Sequence, residues 1–229
     1  MSTLYIVATP IGNLKDITFR AVEILKSVDC ILCEDTRTTK VLLNAYDIHV
    51  PTMSYHAQSA LSRTEEIIQM LKEGKNLALV SDAGTPCISD PGSALLSLVR
   101  KECTEEEVTI VPIPGASAFV TLLSAGGLDT SEFVFLGFLP HKKGRETLFK
   151  EIAVAPRTVV FYESPHRILK TLASLAGALA DSPRKVLIGR ELTKIFEQVI
   201  SGTASEMLNY FENNTDKVRG EFVVAVEAL

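Results

Sequence analysis

Apolar runs alternate with helix-period segments along the whole chain. Strands are predicted near residues 4–8, 29–33, 76–80, 108–111, 133–138, 157–162, 185–189 and 222–227. Between them, Ile17, Ala21, Ile24, Leu25 and Val28 recur at helical spacing behind Asp16 as an N-cap, and Ile168, Leu169, Leu172, Leu175, Ala176 and Leu179 do so behind Ser164-Pro165. Alternation of this kind is the signature of an α/β fold in which each helix lays its apolar stripe on a sheet. Near Ser124-Ala125-Gly126-Gly127-Leu128-Asp129, paired glycines interrupt an apolar helix predicted over 116–125. A boundary there divides the chain into two tightly joined α/β domains, 1–126 and 127–229, without internal repeats or low-complexity linkers.

The most informative departure from this pattern follows the run Leu77 to Val80. The stretch Ser81-Asp82-Ala83-Gly84-Thr85-Pro86-Cys87-Ile88-Ser89-Asp90-Pro91-Gly92 cannot be regular structure. Its prolines remove backbone donors and fix φ, its glycines let main chain approach a ligand, and its small side chains leave a groove open. Two other strand-to-helix junctions share the character, Thr9-Pro10-Ile11-Gly12-Asn13 and Pro112-Ile113-Pro114-Gly115-Ala116-Ser117. In an open parallel sheet such loops gather at the carboxyl edge of the strands, so distant segments are expected to build one ligand crevice. Neither G-x-G-x-x-G at the first loop nor G-x-x-x-x-G-K-[ST] anywhere is present, which argues against dinucleotide and P-loop chemistry.

Composition narrows the class. A chain of 229 residues with 46% hydrophobic residues can bury a large core, and its mean hydropathy is +0.21. No apolar run approaches the length of a membrane span and no basic, cleavable leader precedes the first strand, so a cytoplasmic protein is expected. The cysteines, Cys30, Cys33, Cys87 and Cys103, are irregularly placed, as suits a reducing compartment. Cys30 and Cys33 have C-x-x-C spacing but lie within one apolar strand, which points them to opposite faces and predicts packing, not metal or redox work. Net charge is −5, against a generally basic nucleic-acid binder. It is uneven: residues 1–126 hold 10 Lys+Arg against 15 Asp+Glu, residues 127–229 hold 13 against 13. The second half is the side expected to meet an anion, and His141-Lys142-Lys143-Gly144-Arg145 is a local basic cluster there, read either as a phosphate contact or as a solvated loop.

Polar clusters stand where strands stop. Glu34-Asp35-Thr36-Arg37 supports two readings: a base ready for proton abstraction, or Asp35 or Thr36 capping the next helix while Arg37 pairs with an acid. Ser54-Tyr55-His56 contains a lone histidine, a structural residue more often than a catalytic one. In the second half, Phe161-Tyr162-Glu163-Ser164-Pro165-His166-Arg167 and Gly189-Arg190-Glu191-Leu192-Thr193-Lys194 repeat the arrangement. His166 and Arg167 are expected at the surface, and Arg190 and Lys194 are candidates to meet a phosphate-bearing substrate. No His/Cys/Asp spacing suggests a metal site.

Taken together, these motifs resemble those of the ribosomal RNA small subunit methyltransferase I family within the tetrapyrrole methylase superfamily. The resemblance covers nearly the whole chain and rests most on Ser81-Asp82-Ala83-Gly84-Thr85-Pro86 with Ser89-Asp90-Pro91-Gly92. It is supported by Val7-Ala8-Thr9-Pro10-Ile11-Gly12-Asn13-Leu14, Glu34-Asp35-Thr36-Arg37, Ser54-Tyr55-His56, residues 161–167 and Arg190-Glu191-Leu192-Thr193-Lys194. It implies two α/β domains of the tetrapyrrole methylase type, a homodimer, S-adenosylmethionine bound in the interdomain cleft and released as S-adenosylhomocysteine, and no metal. The implied reaction methylates the ribose 2'-hydroxyl of a decoding-region cytidine in 16S rRNA, either free or in the small ribosomal subunit, with no membrane partner. By the same resemblance the donor is held by Ile11, Gly12, Asp82, Ala83, Gly84, Thr85, Ile88, Ser117, Ala118, Tyr162, Glu163 and Leu192. The base is then Glu34 or Asp35, and Arg37 or Lys194 orients the RNA phosphate. Many members continue past the last sheet strand into a further helical segment, whereas this sequence ends at Val226-Glu227-Ala228-Leu229. Alternatives are a methylase of a corrin or porphyrin precursor, a diphthamide-type protein methylase, or a catalytically silent RNA-associated domain that keeps the donor pocket.

Overall fold

The computed structural model describes residues 1–56, 61–90 and 92–229. The chain folds as two compact units, Met1–Ser117 and Ala118–Leu229, each built on a five-stranded sheet.

In the first unit β1 (Ser2–Val7), β2 (Cys30–Cys33), β3 (Thr52–Ser54), β4 (Leu77–Val80) and β5 (Val108–Ile113) form a sheet in the order β3-β2-β4-β1-β5. All of its pairings are parallel. Helices α1 (Phe19–Ser27) and α2 (Thr36–Ala45) supply Ala21, Leu25 and Leu43 to the core on one face, around Val7, Ile31, Ala78 and Val80. On the other face, α3 (Leu61–Lys72) and α4 (Gly92–Glu102) cover Leu4, Ile6, Leu32 and Leu79 with Ile67, Leu71, Leu95 and Val99. Burial on both faces explains why β2 and β4 read as continuous apolar runs. Cys30 packs into one core and Cys33 into the other, so the C-x-x-C spacing is a packing pair and the thiols are free. The N-cap of α1 is Thr18, whose hydroxyl accepts from the Ala21 N–H; Asp16, the predicted cap, instead closes a short 3-10 turn over Leu14–Asp16. The extended backbone that a cap needs falls at Thr18, two residues later than the sequence pattern suggests.

In the second unit β6 (Phe133–Phe138), β7 (Thr158–Glu163), β8 (Val186–Arg190), β9 (Gln198–Gly202) and β10 (Phe222–Val226) take the order β6-β7-β10-β8-β9. Only β6 and β7 run parallel; the other pairings are antiparallel. Helices α6 (Arg145–Ala153), α7 (Ile168–Ala178) and α8 (Ala204–Asn213) cover one face, where Phe161, Phe211 and Phe222 are fully buried, each worth about 1.5–3 kcal/mol of transfer free energy. Helix α5 (Ala118–Gly126) packs on the sheet through Gly126, where a Cβ would stand 2.0 Å from the Leu187 side chain, and Leu122, which lies against Gly189. The predicted glycine pair therefore closes α5, and the division between units falls ahead of that helix, not after it: α5 is packed on the second unit's sheet. Among the described residues no helix is long and apolar enough to cross a membrane.

Candidate functional site

The three Gly/Pro-rich loops of the first unit do meet. Thr9, after β1, forms an isolated bridge with Gly84, after β4: Thr9 N–H donates to Gly84 O at 2.9 Å and Gly84 N–H to Thr9 O at 3.0 Å. The Thr9 hydroxyl donates to Ser81 O at 3.0 Å, and the Ser81 hydroxyl, fully enclosed, to Gly84 O at 2.9 Å. The loop after β5 joins through Thr85 Oγ1, which donates to Ala116 O at 3.2 Å. Gly84 has φ +84°, which a side chain would strain. Gly115 is required by closeness instead: a Cβ there would stand 2.9 Å from that of Ala8. Cys87 and Ser89 also adopt left-handed backbone, with φ 71° and 60°, a concentration of strain typical of functional loops. Pro91 lies outside the described residues.

These bonds leave a surface of small groups. Gly12, Asp82, Ala83 and Ile88 are exposed, Thr85 and Ser117 half-buried, and Ile11 is buried beneath them, its Cγ2 at 3.4 Å from the position a Gly84 Cβ would take. A flat or hydrogen-bonding ligand can lie on such a floor, reading main chain instead of long side chains.

A fourth strand end lies beside it. Glu34, Asp35, Thr36, Arg37, Ser54, His56 and Asp82 line a cavity of about 630 Å³, and Asp35 N–H donates to Asp82 Oδ1 at 3.2 Å, which ties the β2 loop to the β4 loop. Asp35 is the N-cap of α2, accepting from Arg37 N–H at 2.8 Å, and it also forms a 2.6 Å ion pair with the Arg37 guanidinium. Hydrogen bonds from the Arg37 side chain, then from its backbone, pull the Asp35 carboxyl down to about 2. The cap and the ion pair read from sequence are thus both present.

Asp90 behaves in the opposite way. Burial first, then the neighbouring Glu34 and, more weakly, Asp82, push its carboxyl up to about 6 against the lowering influence of the Ser81 side chain. The sequence motif contains Asp90, yet a lone Asp in a loop carries no signal of this; only the folding of residues 81–90 against the β2 loop creates it.

The second unit disposes of its polar strand ends differently. Glu163 is 1% exposed, and its carboxylate lies 2.8 Å from Arg167 Nε and accepts from Thr171 Oγ1 at 2.6 Å and Ser164 N–H at 2.8 Å. Arg167, expected at the surface, is drawn in by this pair, while His166 is exposed. Arg190, a candidate phosphate contact, is buried and donates to Arg219 O and Phe196 O, which removes it from that role. Lys194 Nζ pairs with Glu191 at 3.0 Å and Glu221 at 2.8 Å, so its charge is locally balanced. Tyr162 is half-buried, its ring 5.0 Å from that of Phe135 and 5.4 Å from that of Phe138, and burial raises its hydroxyl pKa. Leu192 is buried and Ala118 half-buried at the start of α5. No His/Cys/Asp/Glu group able to hold a metal occurs among the described residues.

The family model of the tetrapyrrole (corrin/porphyrin) methylases matches residues 3–208. The chain is 46% identical over 99% of its length to the ribosomal RNA small subunit methyltransferase I of Bacillus subtilis strain 168, of which it covers 75%. It is 44% identical to the protein of that name from Thermotoga maritima, with 99% of this chain and 98% of that protein aligned, and 44% identical to that of Escherichia coli O157:H7, with 98% and 77% aligned. The chain belongs to this methyltransferase family. Solved structures of the family's wider fold superpose on it: a diphthine synthase with TM-score 0.75 at 13% identity, covering 100% of this chain and 90% of that one, and a cobalt precorrin-4 methyltransferase of cobalamin biosynthesis with TM-score 0.68 at 16%, covering 97% and 94%. At such identities they establish the tetrapyrrole methylase fold and nothing about substrate.

Proposed function

We propose that this protein transfers a methyl group from S-adenosylmethionine to the 2'-hydroxyl of a decoding-region cytidine in 16S rRNA, in the cytoplasm and as a homodimer. The observation that carries the reading is the near-full-length similarity to proteins named ribosomal RNA small subunit methyltransferase I, on a chain whose Gly/Pro loops are joined into one surface. The donor's chemical contribution is a methyl already activated on a sulfonium, so alignment of the ribose oxygen dominates the rate. In the first unit we assign donor contacts to Ile11, Gly12, Asp82, Ala83, Gly84, Thr85, Ile88 and Ser117. The floor of small residues supports that assignment: Gly84 at φ +84° lies over Ile11 and Ala116, and Gly115 lets the loop after β5 close on Ala8. Ala118, Tyr162, Glu163 and Leu192 are assigned from the family resemblance; Glu163 would contribute through its main chain, since its carboxylate is engaged internally.

Of the two carboxylates suggested for proton removal, Glu34 is the better base. It is exposed on the cavity wall, whereas a carboxyl held at about 2, as Asp35 is, has little affinity for a proton. Asp35 then orients Arg37, whose Nε and Nη2 it holds while the side chain stays 89% exposed, so that Nη1 is the edge assigned to meet a phosphate oxygen. Single replacement tests this: Glu34→Gln lowers kcat by roughly 10²–10⁴-fold at saturating donor, and Asp35→Asn lowers it less. Equal and full activity in both variants removes the pair from the mechanism. Labelled donor tests the substrate: label on small-subunit rRNA supports the reading, label on a tetrapyrrole or protein redirects it, and bound donor without transfer means a silent domain.

A further inference from the structure

The basic loop at 140–145 rests on a buried ionic frame that the donor floor does not use. Glu163, at the end of β7, is shared by two guanidiniums, with Arg167 Nε at 2.8 Å and Arg145 Nη2 at 3.6 Å. Thr171 Oγ1 donates to the carboxylate and receives Arg145 Nη2 at 2.5 Å. The same guanidiniums grip the loop's own main chain: Arg167 Nη2 donates to Leu139 O at 2.7 Å and Arg145 Nη1 to Pro140 O at 3.1 Å. Two cations face one anion, so a surplus positive charge lies directly under the loop. A buried pair of this kind adds little stability over an apolar substitute, because desolvation offsets the attraction. Its effect is to hold residues 139–145 in one shape.

That shape displays His141, Lys142 and Lys143, all exposed. Gly144, at φ 81°, then turns the chain into α6, and the acidic Glu146 follows in the first turn. Among the described residues no carboxylate lies within ion-pair distance of Lys142 or Lys143, although the chain as a whole carries five more acids than bases. Ammonium groups with no internal partner, on a rigid loop and backed by unbalanced charge, match the spaced anions of a polynucleotide backbone.

We infer that the 140–145 loop is an RNA-docking surface, with Lys142 and Lys143 contacting backbone phosphates and the Glu163-Arg145-Arg167 frame positioning them. The inference rests on RNA being the substrate, and its test separates the two. RNA binding is measured against salt in the presence of S-adenosylhomocysteine, alongside steady-state methylation, for wild type, K142A/K143A and K142R/K143R. Loss of two phosphate contacts makes the slope of log affinity against log salt shallower by about 1.5, at 0.7–0.9 per contact. It also raises KM for RNA with kcat and donor affinity unchanged, and the arginine pair restores both. An unchanged slope, or an equal loss of donor affinity, overturns the assignment. So does a KM effect confined to assembled subunits and absent on naked RNA, which would mean a ribosomal protein partner. Wild-type protein that methylates no small-subunit rRNA sinks the functional reading instead, while the salt slope still reports on the loop.

Discussion

The strand ends of the two units begin from similar sequence, a polar group placed directly after an apolar run, and finish in opposite states. In the first unit Asp82, Glu34 and Arg37 stay exposed, while backbone pairs and hydroxyls stitch the loops beneath them. In the second, Glu163, Arg145 and Arg190 are drawn inside and spent on holding loops in place. The difference follows from what each loop has available. Glycines and small residues let the first unit's main chains approach one another, so that backbone pairs and short hydroxyls suffice to join them. In the second unit long guanidiniums also reach carbonyl oxygens of neighbouring loops, Arg167 to Leu139, Arg145 to Pro140 and Arg190 to Arg219. Open polar groups keep an edge toward solvent; enclosed ones hold loops in shape.

The largest effect should come from breaking the enclosed set. Glu163→Ala leaves Arg145 and Arg167 buried without their anion and costs about 3–5 kcal/mol, read as a lowered unfolding midpoint in urea; a loss below about 1 kcal/mol would mean that the network relaxes into solvent and the contrast between units is false. Next is the open set: Gly84→Val forces a branched residue to positive φ at a strain of about 1–3 kcal/mol, and relief of that strain by a shift of the loop lowers donor affinity by up to about 100-fold, read by calorimetry. Undiminished affinity would remove the loop from donor binding. The smallest concerns Asp90, whose carboxyl is raised from 3.8 to about 6. The native protein holds that proton more tightly than the unfolded chain, so stability falls as pH rises through this window. Asp90→Asn should therefore be more stable than wild type at pH 7–8 by about 1 kcal/mol, a screened share of the shift, with the advantage gone below about pH 4. A gain independent of pH would rule out the carboxyl's ionisation as its source.

Much of this was legible beforehand. The eight predicted strands correspond to eight of the ten among the described residues, because each carries an apolar run, even β6, whose residues are mostly half-buried or exposed. The two missed are β3, three residues long, and β9, whose residues alternate between half-buried and exposed. Short and one-sided strands carry too little apolar signal to stand out. The convergence of the Gly/Pro loops was legible for a similar reason, since parallel strands send their following loops to one edge. In the second unit the same reasoning stops short, because β10 runs antiparallel to both neighbours and pairing direction leaves no mark on the hydrophobic pattern.

Sequence by itself determined the α/β class, the family, the loop set that meets in the first unit and the packing role of Cys30 and Cys33, all of which depend on local periodicity or on backbone freedom at glycine and proline. Tertiary structure alone decided which charged groups are spent and which are free. Arg167 and Arg190 turned inward, Asp35 was pulled to about 2 and Asp90 pushed to about 6. Charge state and availability depend on partners a few ångströms away, and those partners come from distant parts of the chain.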